Sequence, residues 1–460
     1  MAIRRSPDEP PPGDGSRSSG ALVQLSRYGP IAGAYAVFQS LVGVLPSSFS
    51  ADTARYALAT CAGLAVGIII WLSTLVRLRG NSPRTGRGAA DDEPHPVPAF
   101  GPGRLAQLMD GSATALLHCR SAVDDPALGR LVGWPHFLEE GEEGQRATAI
   151  STAYGLHITL ILDRTNGLLD PPALVDTLWR LRKSDGGWAA RTGGVVSRPE
   201  VTALVLGALS QAGADPQRLR EGLDVLEGML VPGVDVEGMS RTYVVTAVIR
   251  GLLRAAPGSP SLGRLRDELV AGVVRDADHD DLLCWGYSLD TSSGPARQGP
   301  VSVAHTAHAV LALARLEKVL GVDDRARHAM EQGVTWLVRV GTFTHQTEHL
   351  RRLHPAHGAD HLLVRHFTAA LVAKALLGVE PMPAADPPAD PADPALALVA
   401  QRRAHLAAAV SRVWELQQEG VWEWDDDRQR RPVWMTYQGL SVLAAHAVHS
   451  CGPQPHRPSA

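Results

Sequence analysis

Residues 172–209 read PALVDTLWRLRKSDGGWAARTGGVVSRPEVTALVLGAL. The first dozen residues place apolar side chains on one face and charged side chains on the other, which is typical of an outer, amphipathic helix. A glycine-rich turn ending in Trp188 follows. After Pro199 the chain is apolar on every face, as expected of a helix buried within a larger array. The stretch therefore predicts one outer helix followed by one inner helix.

The inner-helix pattern recurs along the chain. A threonine followed by Ala or Tyr, inside an apolar run, occurs at Thr152, Thr202, Thr246, Thr306, Thr368 and Thr436. Amphipathic segments lie between these runs. One such helix pair cannot bury its own apolar face, so units of this kind stack against one another. We therefore predict an all-α protein in which residues 104–450 form an α/α toroid of about six helix pairs.

The turns that end the outer helices carry a shared signature. Residues 417–422 read QQEGVW and residues 184–188 read SDGGW, while Trp336, Gly341 and Phe343 form a degenerate copy. This signature resembles the QW repeat of squalene-hopene and oxidosqualene cyclases, which protein prenyltransferases share more loosely. The resemblance covers roughly residues 105–450. Tryptophans in such turns pack over the neighbouring helix, so we assign them no chemistry.

The resemblance implies an active cavity inside the ring, near the N-terminal ends of the inner helices. Class II cyclases place an acidic DxDD motif just before one inner helix. Glu200 occupies that register here, whereas the literal motif is Asp278-His279-Asp280-Asp281. We therefore expect Glu200, or else Asp280 and Asp281, to be catalytic. The alternatives are a first-turn glutamate favoured by the helix dipole and a solvated acidic loop.

The resemblance to prenyltransferases raises the question of zinc, which that family holds with Asp, Cys and His. Asp281, Cys284 and His305 have these identities, but the spacing is D-x-x-C and not D-x-C. We therefore expect no cofactor and assign no metal ligand, with zinc as the alternative. Six histidines occur in residues 345–366, and this segment is either a loop at the ring mouth or a metal site.

Basic residues precede several of the inner helices. Because cations at helix N-termini oppose the helix dipole, they indicate an anionic ligand, such as a prenyl diphosphate or a lipid headgroup. The alternative is that they form salt bridges between repeats. The residues that we expect to bind substrate are Arg146, Arg198, Arg241, His305, Arg365, His366 and Tyr437.

A membrane region precedes the predicted ring. Residues 56–76 are uncharged and long enough to span a bilayer as a helix, and residues 30–45 could form a first span. Arginines flank this region on both sides, which places the ring on the cytoplasmic face of the membrane. The remaining segments are a disordered N-terminus (1–28), a transmembrane region (29–79), a linker (80–103) and a tail (451–460).

The composition narrows the function. The net charge of the 460 residues is −4 and no basic run is present, so nucleic acid is not an expected partner. Three functions stay open. The first is acid-initiated cyclisation of an isoprenoid or similar apolar ligand taken from the lipid bilayer. The second is a catalytically silent, membrane-anchored binding or sensor module, and the third is a zinc-dependent prenyltransferase. No protein partner can be named.

Overall fold

The computed structural model describes residues 102–138, 146–162, 169–191, 194–231, 239–290, 300–354, 358–379, 394–424 and 430–451. All of them belong to the second of two units of the chain, Pro94–Ala460. The predicted spans at 30–45 and 56–76, and most of the linker before the ring, lie outside the described residues. Within the described ranges, no helix combines the length and the apolar character needed to cross a bilayer.

Twelve helices dominate the described part of the chain. In order they are α1 Pro102–His118, α2 Ala149–Leu162, α3 Pro171–Arg180, α4 Pro199–Gln211, α5 Pro216–Met229, α6 Thr242–Ala255, α7 Ser261–Ala271, α8 Val303–Leu320, α9 Asp324–Val340, α10 Thr368–Gly378, α11 Pro394–Glu415 and α12 Val433–Cys451. Aspartate side chains cap several outer helices. Asp170, for example, accepts from the Ala173 amide in α3, and Asp215 accepts from the Arg218 amide in α5.

The even-numbered helices form a closed ring. Each packs against the next, and α12 packs against α2. The odd-numbered helices lie outside, each against neighbouring inner helices. All six repeated threonines lie on inner helices and are buried. The predicted α/α toroid of six helix pairs is therefore the observed architecture of the described residues.

Short antiparallel hairpins interrupt the helices. The strands are β1 Ser121–Asp125, β2 Gly129–Gly133, β3 Val274–Asp276, β4 Leu282–Cys284, β5 Gln346–His354, β6 Gly358–His366, β7 Gln417–Gln418 and β8 Val421–Trp422, paired in sequence order. The longest hairpin, β5–β6, pairs Gln346 with His366 at its base. In β5, buried Glu348 and Leu350 alternate with exposed His349 and Arg351, which is the period-two pattern of a strand. The histidine-rich segment is therefore a hairpin and not a loop.

Tryptophans that follow outer helices, among them Trp188 and Trp422 of the signature, join outer and inner helices. In four repeats the indole N–H donates to a carbonyl of the preceding outer helix, at 2.6 to 2.8 Å. The donor and acceptor pairs are Trp134 with Leu116, Trp188 with Leu178, Trp285 with Leu269, and Trp422 with Val413. These side chains are fully buried, so their role is structural.

The repeated threonines meet these tryptophans. The backbone N–H of Trp188 donates to the hydroxyl of Thr202 at 3.1 Å, and Trp285 and Thr306 repeat the contact at 3.0 Å. A buried N–H without a partner is costly. The threonine hydroxyl accepts the hydrogen bond of this N–H in the turn that leads into the inner helix. In these two repeats the threonine therefore links the turn to the inner helix.

Candidate functional site

The ring encloses a cavity of about 540 Å³, a volume typical of small-molecule sites. It lies at the N-terminal ends of inner helices, since Ile150, Tyr243 and Trp434 line it from the first turns of α2, α6 and α12. Strand β6 forms one wall through Leu362 to His366. The N-terminal ends of helices carry partial positive charge, so the position itself favours an anion.

Basic and aromatic side chains dominate the lining. The basic residues are Arg191, Arg250, Arg365, Arg430, His136, His308 and His366, and the aromatic residues are Phe137, Tyr154, Tyr243, Trp424 and Trp434. No Asp or Glu is present among the described residues that line the cavity. The described part of the lining therefore offers basic groups and flat apolar surface.

Two arginines at the mouth lie against aromatic rings. The guanidinium of Arg365 lies 5.2 Å from the ring of Trp424, and that of Arg430 lies 5.1 Å from the ring of Phe137. Such contacts help to hold a guanidinium in place. The mouth thus presents oriented cations.

Arg250, from the middle of α6, lies at the inner end of the cavity. It is hydrogen-bonded to Tyr154, and the groups that favour its charge are Tyr154, Tyr243 and Tyr437. His308 lies near Arg250. The pKa of His308 falls well below the ordinary range, first because the side chain is buried and then because His366 and Arg250 are close. The histidine is therefore neutral near pH 7, and the charge here belongs to Arg250.

Further cations surround Arg250 toward the C-terminal ends of the inner helices. Arg254 donates to the hydroxyl of Tyr437 at 2.7 Å, and the ammonium group of Lys374 lies 4.9 Å from the Tyr437 ring. Burial, together with Arg254 and Arg250, lowers the pKa of Arg315 to about 10. Burial and the three arginines lower the pKa of Lys374 well below the usual lysine range.

Tyr437 lies among these cations. Burial alone would raise its pKa, but Arg254, Arg250 and Arg315 outweigh burial and lower it. The groups that act most strongly on Arg250, Arg315 and Lys374 are tyrosines and other basic side chains. Among the described residues, the interior of the ring is therefore rich in basic groups.

A second polar cluster borders the cavity. His305 Nε2 lies 3.1 Å and His366 Nε2 lies 3.0 Å from Glu348 Oε1, and all three side chains are buried. Burial opposes ionisation of Glu348, but its contacts with the two histidines prevail and hold its pKa at about 2. The cluster joins α8 to the β5–β6 hairpin.

Glu200, expected to be catalytic from its register, lies in an ion pair. Its Oε1 accepts from Arg198 Nε at 2.7 Å, and Arg198 also contacts Asp360 Oδ2 at 2.7 Å. It is not among the residues that line the main cavity. The Glu200 carboxylate is therefore engaged in a buried ion pair outside the cavity.

The literal DxDD motif lies away from the cavity. Asp280 and Asp281 are exposed in the turn between β3 and β4, with φ of 55° and 56°. Asp280 pairs with Arg339 of the outer helix α9 at 2.5 Å. The buried Cys284 and the exposed Asp281 do not join His305, which contacts Glu348 and His366. These positions correspond to the solvated acidic loop that was the alternative reading.

The expected substrate-binding residues divide into two groups. His366 and Arg365 line the cavity, and Tyr437 lies in the cationic cluster behind it. Arg146 instead pairs with Asp125 at 2.9 Å. Arg198 and Arg241 border a small crevice beside Glu200, and His305 lies in the cluster with Glu348.

Several residues of the site were not predicted. They are Arg191, Arg250, Arg254, His308, Arg315, Glu348, Lys374 and Arg430. For Arg250, Arg254, Arg315 and Lys374 a signal exists in the sequence, because each is a basic residue within an otherwise apolar inner helix. Such a residue must face either solvent or a polar interior.

Comparisons with known proteins give no sequence family for this chain. No family profile and no curated protein matches it. Solved structures match the ring at low similarity. A glycoside hydrolase family 76 mannosidase from Bacteroides thetaiotaomicron VPI-5482 aligns over 75% of this chain and 99% of its own, with 9% identity and a TM-score of 0.46. A family 76 glycoside hydrolase from a bovine strain of that species aligns over 74% and 77%, with 10% identity and a TM-score of 0.45.

These neighbours overturn the family that the sequence suggested. The similar solved structures are glycoside hydrolases and not terpene cyclases or prenyltransferases, so the predicted membership of that superfamily is wrong. The cyclase and prenyltransferase functions are withdrawn with it. At this distance the neighbours assign no activity to the chain, which is an α/α toroid with a basic, aromatic-lined interior.

Proposed function

We propose that the ring binds an organic anion in its central cavity. The observation that carries the proposal is the group of basic side chains inside the ring: Arg254, Arg315 and Lys374 lie close to the lining residue Arg250, and none of the described lining residues is acidic. Removing a charge from water costs several kcal/mol per ion unless a partner offsets it. A bound anion would supply that partner.

The position of the cations indicates where the anionic group binds. Arg250 lies at the inner end of the cavity, with Arg254, Arg315 and Lys374 around it. Arginine presents its donors in a planar fork that fits carboxylate, phosphate and sulfonate oxygens. We therefore place the anionic group beside Arg250.

The walls define the rest of the ligand. Trp434 and Tyr154 offer aromatic faces from the inner helices, and Leu362 and Val364 offer apolar contacts from β6. Rings and aliphatic side chains of this kind bind flat or branched apolar groups. The ligand class is thus an organic anion with an apolar or aromatic body.

Glycoside hydrolysis is not the function that this geometry favours. It ordinarily requires two carboxyl groups on opposite sides of the glycosidic bond. Among the described residues of the lining no carboxyl group is found, and Glu200 and Glu348 are held in buried pairs outside it. The proposal is accordingly a binding function, without a reaction.

A matched pair of probes tests the proposal. Anilinonaphthalene sulfonate is aromatic and anionic, and phenylnaphthylamine is its uncharged analogue. We expect the sulfonate to bind the full chain more tightly than the amine, and pyrophosphate to compete with it. Substituting Arg250→Met should weaken sulfonate binding about tenfold or more, because a buried charge partner is lost. Fluorescence titration measures both affinities.

The control is Arg220→Met, which removes an exposed arginine from the outer helix α5. It should leave both affinities unchanged. Circular dichroism establishes that each variant is folded. Equal binding of the two probes to the wild type, or an unchanged affinity in folded Arg250→Met, would contradict the proposal.

A further inference from the structure

We propose that His305, Glu348 and His366 form a binding site for one divalent transition-metal ion, of which Zn²⁺ fits the ligands best. This departs from the sequence, which assigned no metal ligand. The three residues come from α8, β5 and the end of β6. Their candidate ligand atoms lie within 4.8 Å of one another, and the side chains of all three are at most 4% exposed.

Hydrogen bonds around His305 fix the position of its proton. The amide N–H of Ala304 donates to Gln346 Oε1 at 2.9 Å, and Ser302 Oγ donates to the same oxygen at 2.6 Å. Because the Ser302 proton is used there, Ser302 Oγ must accept from His305 Nδ1, 2.6 Å away. The proton of a neutral His305 is therefore on Nδ1.

The consequence concerns the other nitrogen of His305. With Nδ1 protonated, a neutral ring presents the lone pair of Nε2 to the anionic Glu348 Oε1 at 3.1 Å. Two electron-rich atoms at this distance repel each other unless a cation stands between them. A metal ion, or a further proton on His305 or Glu348, resolves the conflict, and only the metal ion also provides a partner for the second carboxylate oxygen.

Glu348 supplies an independent observation. Among the described residues its second oxygen, Oε2, is buried and has no hydrogen-bond partner. An unpaired buried carboxylate oxygen is costly, and metal coordination is one of the ways in which proteins offset that cost. A second proton on His305 leaves Oε2 unsatisfied, whereas a metal ion within reach of both carboxylate oxygens does not.

The geometry suits zinc. Zinc bonds to histidine nitrogen and carboxylate oxygen of about 2.1 Å, in tetrahedral arrangement, place neighbouring ligand atoms about 3.4 Å apart. The separations of 3.0 and 3.1 Å between Glu348 and the two histidines need only small adjustment, and all three ligand atoms lie within 4.8 Å of one another. The bond from His305 Nδ1 to Ser302 is of the kind that orients zinc-bound histidines. Three protein ligands leave one position open, and His366 also lines the cavity.

The test is a zinc titration of the full chain after treatment with EDTA, in competition with a chromophoric chelator at pH 7. We expect one equivalent of Zn²⁺ to bind. Substituting Ser302→Ala should weaken binding 10–100-fold, as loss of an outer-shell partner does, and Glu348→Gln or His366→Ala should weaken it more. The control is His349→Ala, which removes an exposed histidine next to Glu348 on the same strand and should change nothing.

A second measurement does not depend on variants that might lose a buried side chain and unfold. Co²⁺ in the same site of the wild-type chain should give the visible absorption of a four- or five-coordinate ion, and Zn²⁺ should displace it. If no equivalent of Zn²⁺ binds, or if folded His366→Ala binds zinc as tightly as the wild type does, the metal site is refuted. Those outcomes leave the anion proposal unaffected, since its probes report on Arg250.

Discussion

Lys374 is a lysine in an unfavourable place. Its ammonium group is buried among Arg250, Arg315 and Arg254, and burial and these charges lower its pKa well below the ordinary value of 10.5. Proteins retain such groups where function requires them, at a cost in stability. Lys374 is therefore the residue at which the proposed function and the stability of the fold oppose each other most directly.

We predict that Lys374→Met stabilises the protein and weakens binding of the sulfonate probe. Replacing a buried charge with an apolar side chain of similar length can add about 1–4 kcal/mol to the free energy of unfolding. The pKa of Lys374 is lower in the folded chain, so the unfolded chain binds its proton more tightly. The gain in the free energy of unfolding should therefore be largest at low pH. It should shrink as the pH rises toward 10.5. Chemical denaturation at several pH values measures it, and a loss of stability near pH 7 would contradict the prediction.

Thr202 and Thr246 occupy equivalent positions but bond differently. The hydroxyl of Thr202 accepts the Trp188 N–H, whereas the hydroxyl of Thr246 donates to the Thr242 carbonyl of its own helix. Thr202→Val leaves a buried N–H unpaired, and we expect a loss of about 1–3 kcal/mol. The matched Thr246→Val should cost less than about 1 kcal/mol, since the Thr242 carbonyl still accepts a backbone hydrogen bond within its helix. Urea denaturation compares them, and equal losses would show that the Trp188 contact does not matter.

At the scale of the element, close approach explains two glycines of the inner helices. A Cβ on Gly155 or Gly439 would lie 2.2 Å from the ring of Trp134 or Trp422. Helix and indole can pack this closely only because the side chain is absent. The glycine and the tryptophan are thus two parts of one helix contact.

We predict that Gly439→Ala destabilises the protein by about 1–3 kcal/mol, because the methyl group must displace a fully buried indole. The control is Gly263→Ala in α7, where no atom lies within 4 Å of the added Cβ. Alanine there should stabilise the helix by up to about 1 kcal/mol. Thermal unfolding measures both changes in stability, which should have opposite signs. A stabilised Gly439→Ala would mean that Trp422 moves freely, contrary to the packing described.

The same scale shows why one element escaped prediction. The β5–β6 segment contains histidines at spacings compatible with one helix face, and Pro355 and Gly358 suggested a loop. The period-two pattern of Glu348, His349, Leu350 and Arg351 was the better guide. The functional role of this hairpin depends on helix α8, because only the packed structure brings His305 of α8 to Glu348 of β5.

At the scale of the whole molecule, the ring gathers side chains that are far apart in sequence. Tyr154 and His157 come from α2, Arg250 from α6, Lys374 from α10 and Tyr437 from α12. The repeat and its threonines are readable from sequence because they are local. The site is not, since a helix that is apolar on every face gives no indication of which face looks into the ring. Only the isolated basic residues in those helices pointed to it.

We predict that the affinity of the interior for sulfate rises as the pH falls from about 9 to 6. The groups around the anion include Lys374, His308 and His157, whose pKa values all lie well below their ordinary ranges. Lys374 is the group expected to gain positive charge over this interval, because its pKa is lowered from 10.5, whereas His308 and His157 stay neutral until lower pH. Sulfate keeps its two negative charges. Displacement of the sulfonate probe measures the affinity. Lys374→Met should flatten the profile, and a wild-type affinity that falls with decreasing pH would contradict this account.

The contact between α12 and α2 gives every repeat two neighbours. An open array of repeats needs capping units and can fray from either end. In a closed ring no repeat is terminal, so loosening any one pair exposes two interfaces at once. Unfolding of a single repeat is therefore costly wherever it begins. We expect the ring to unfold in one transition, and the amide protons of all six inner helices to exchange at similar rates.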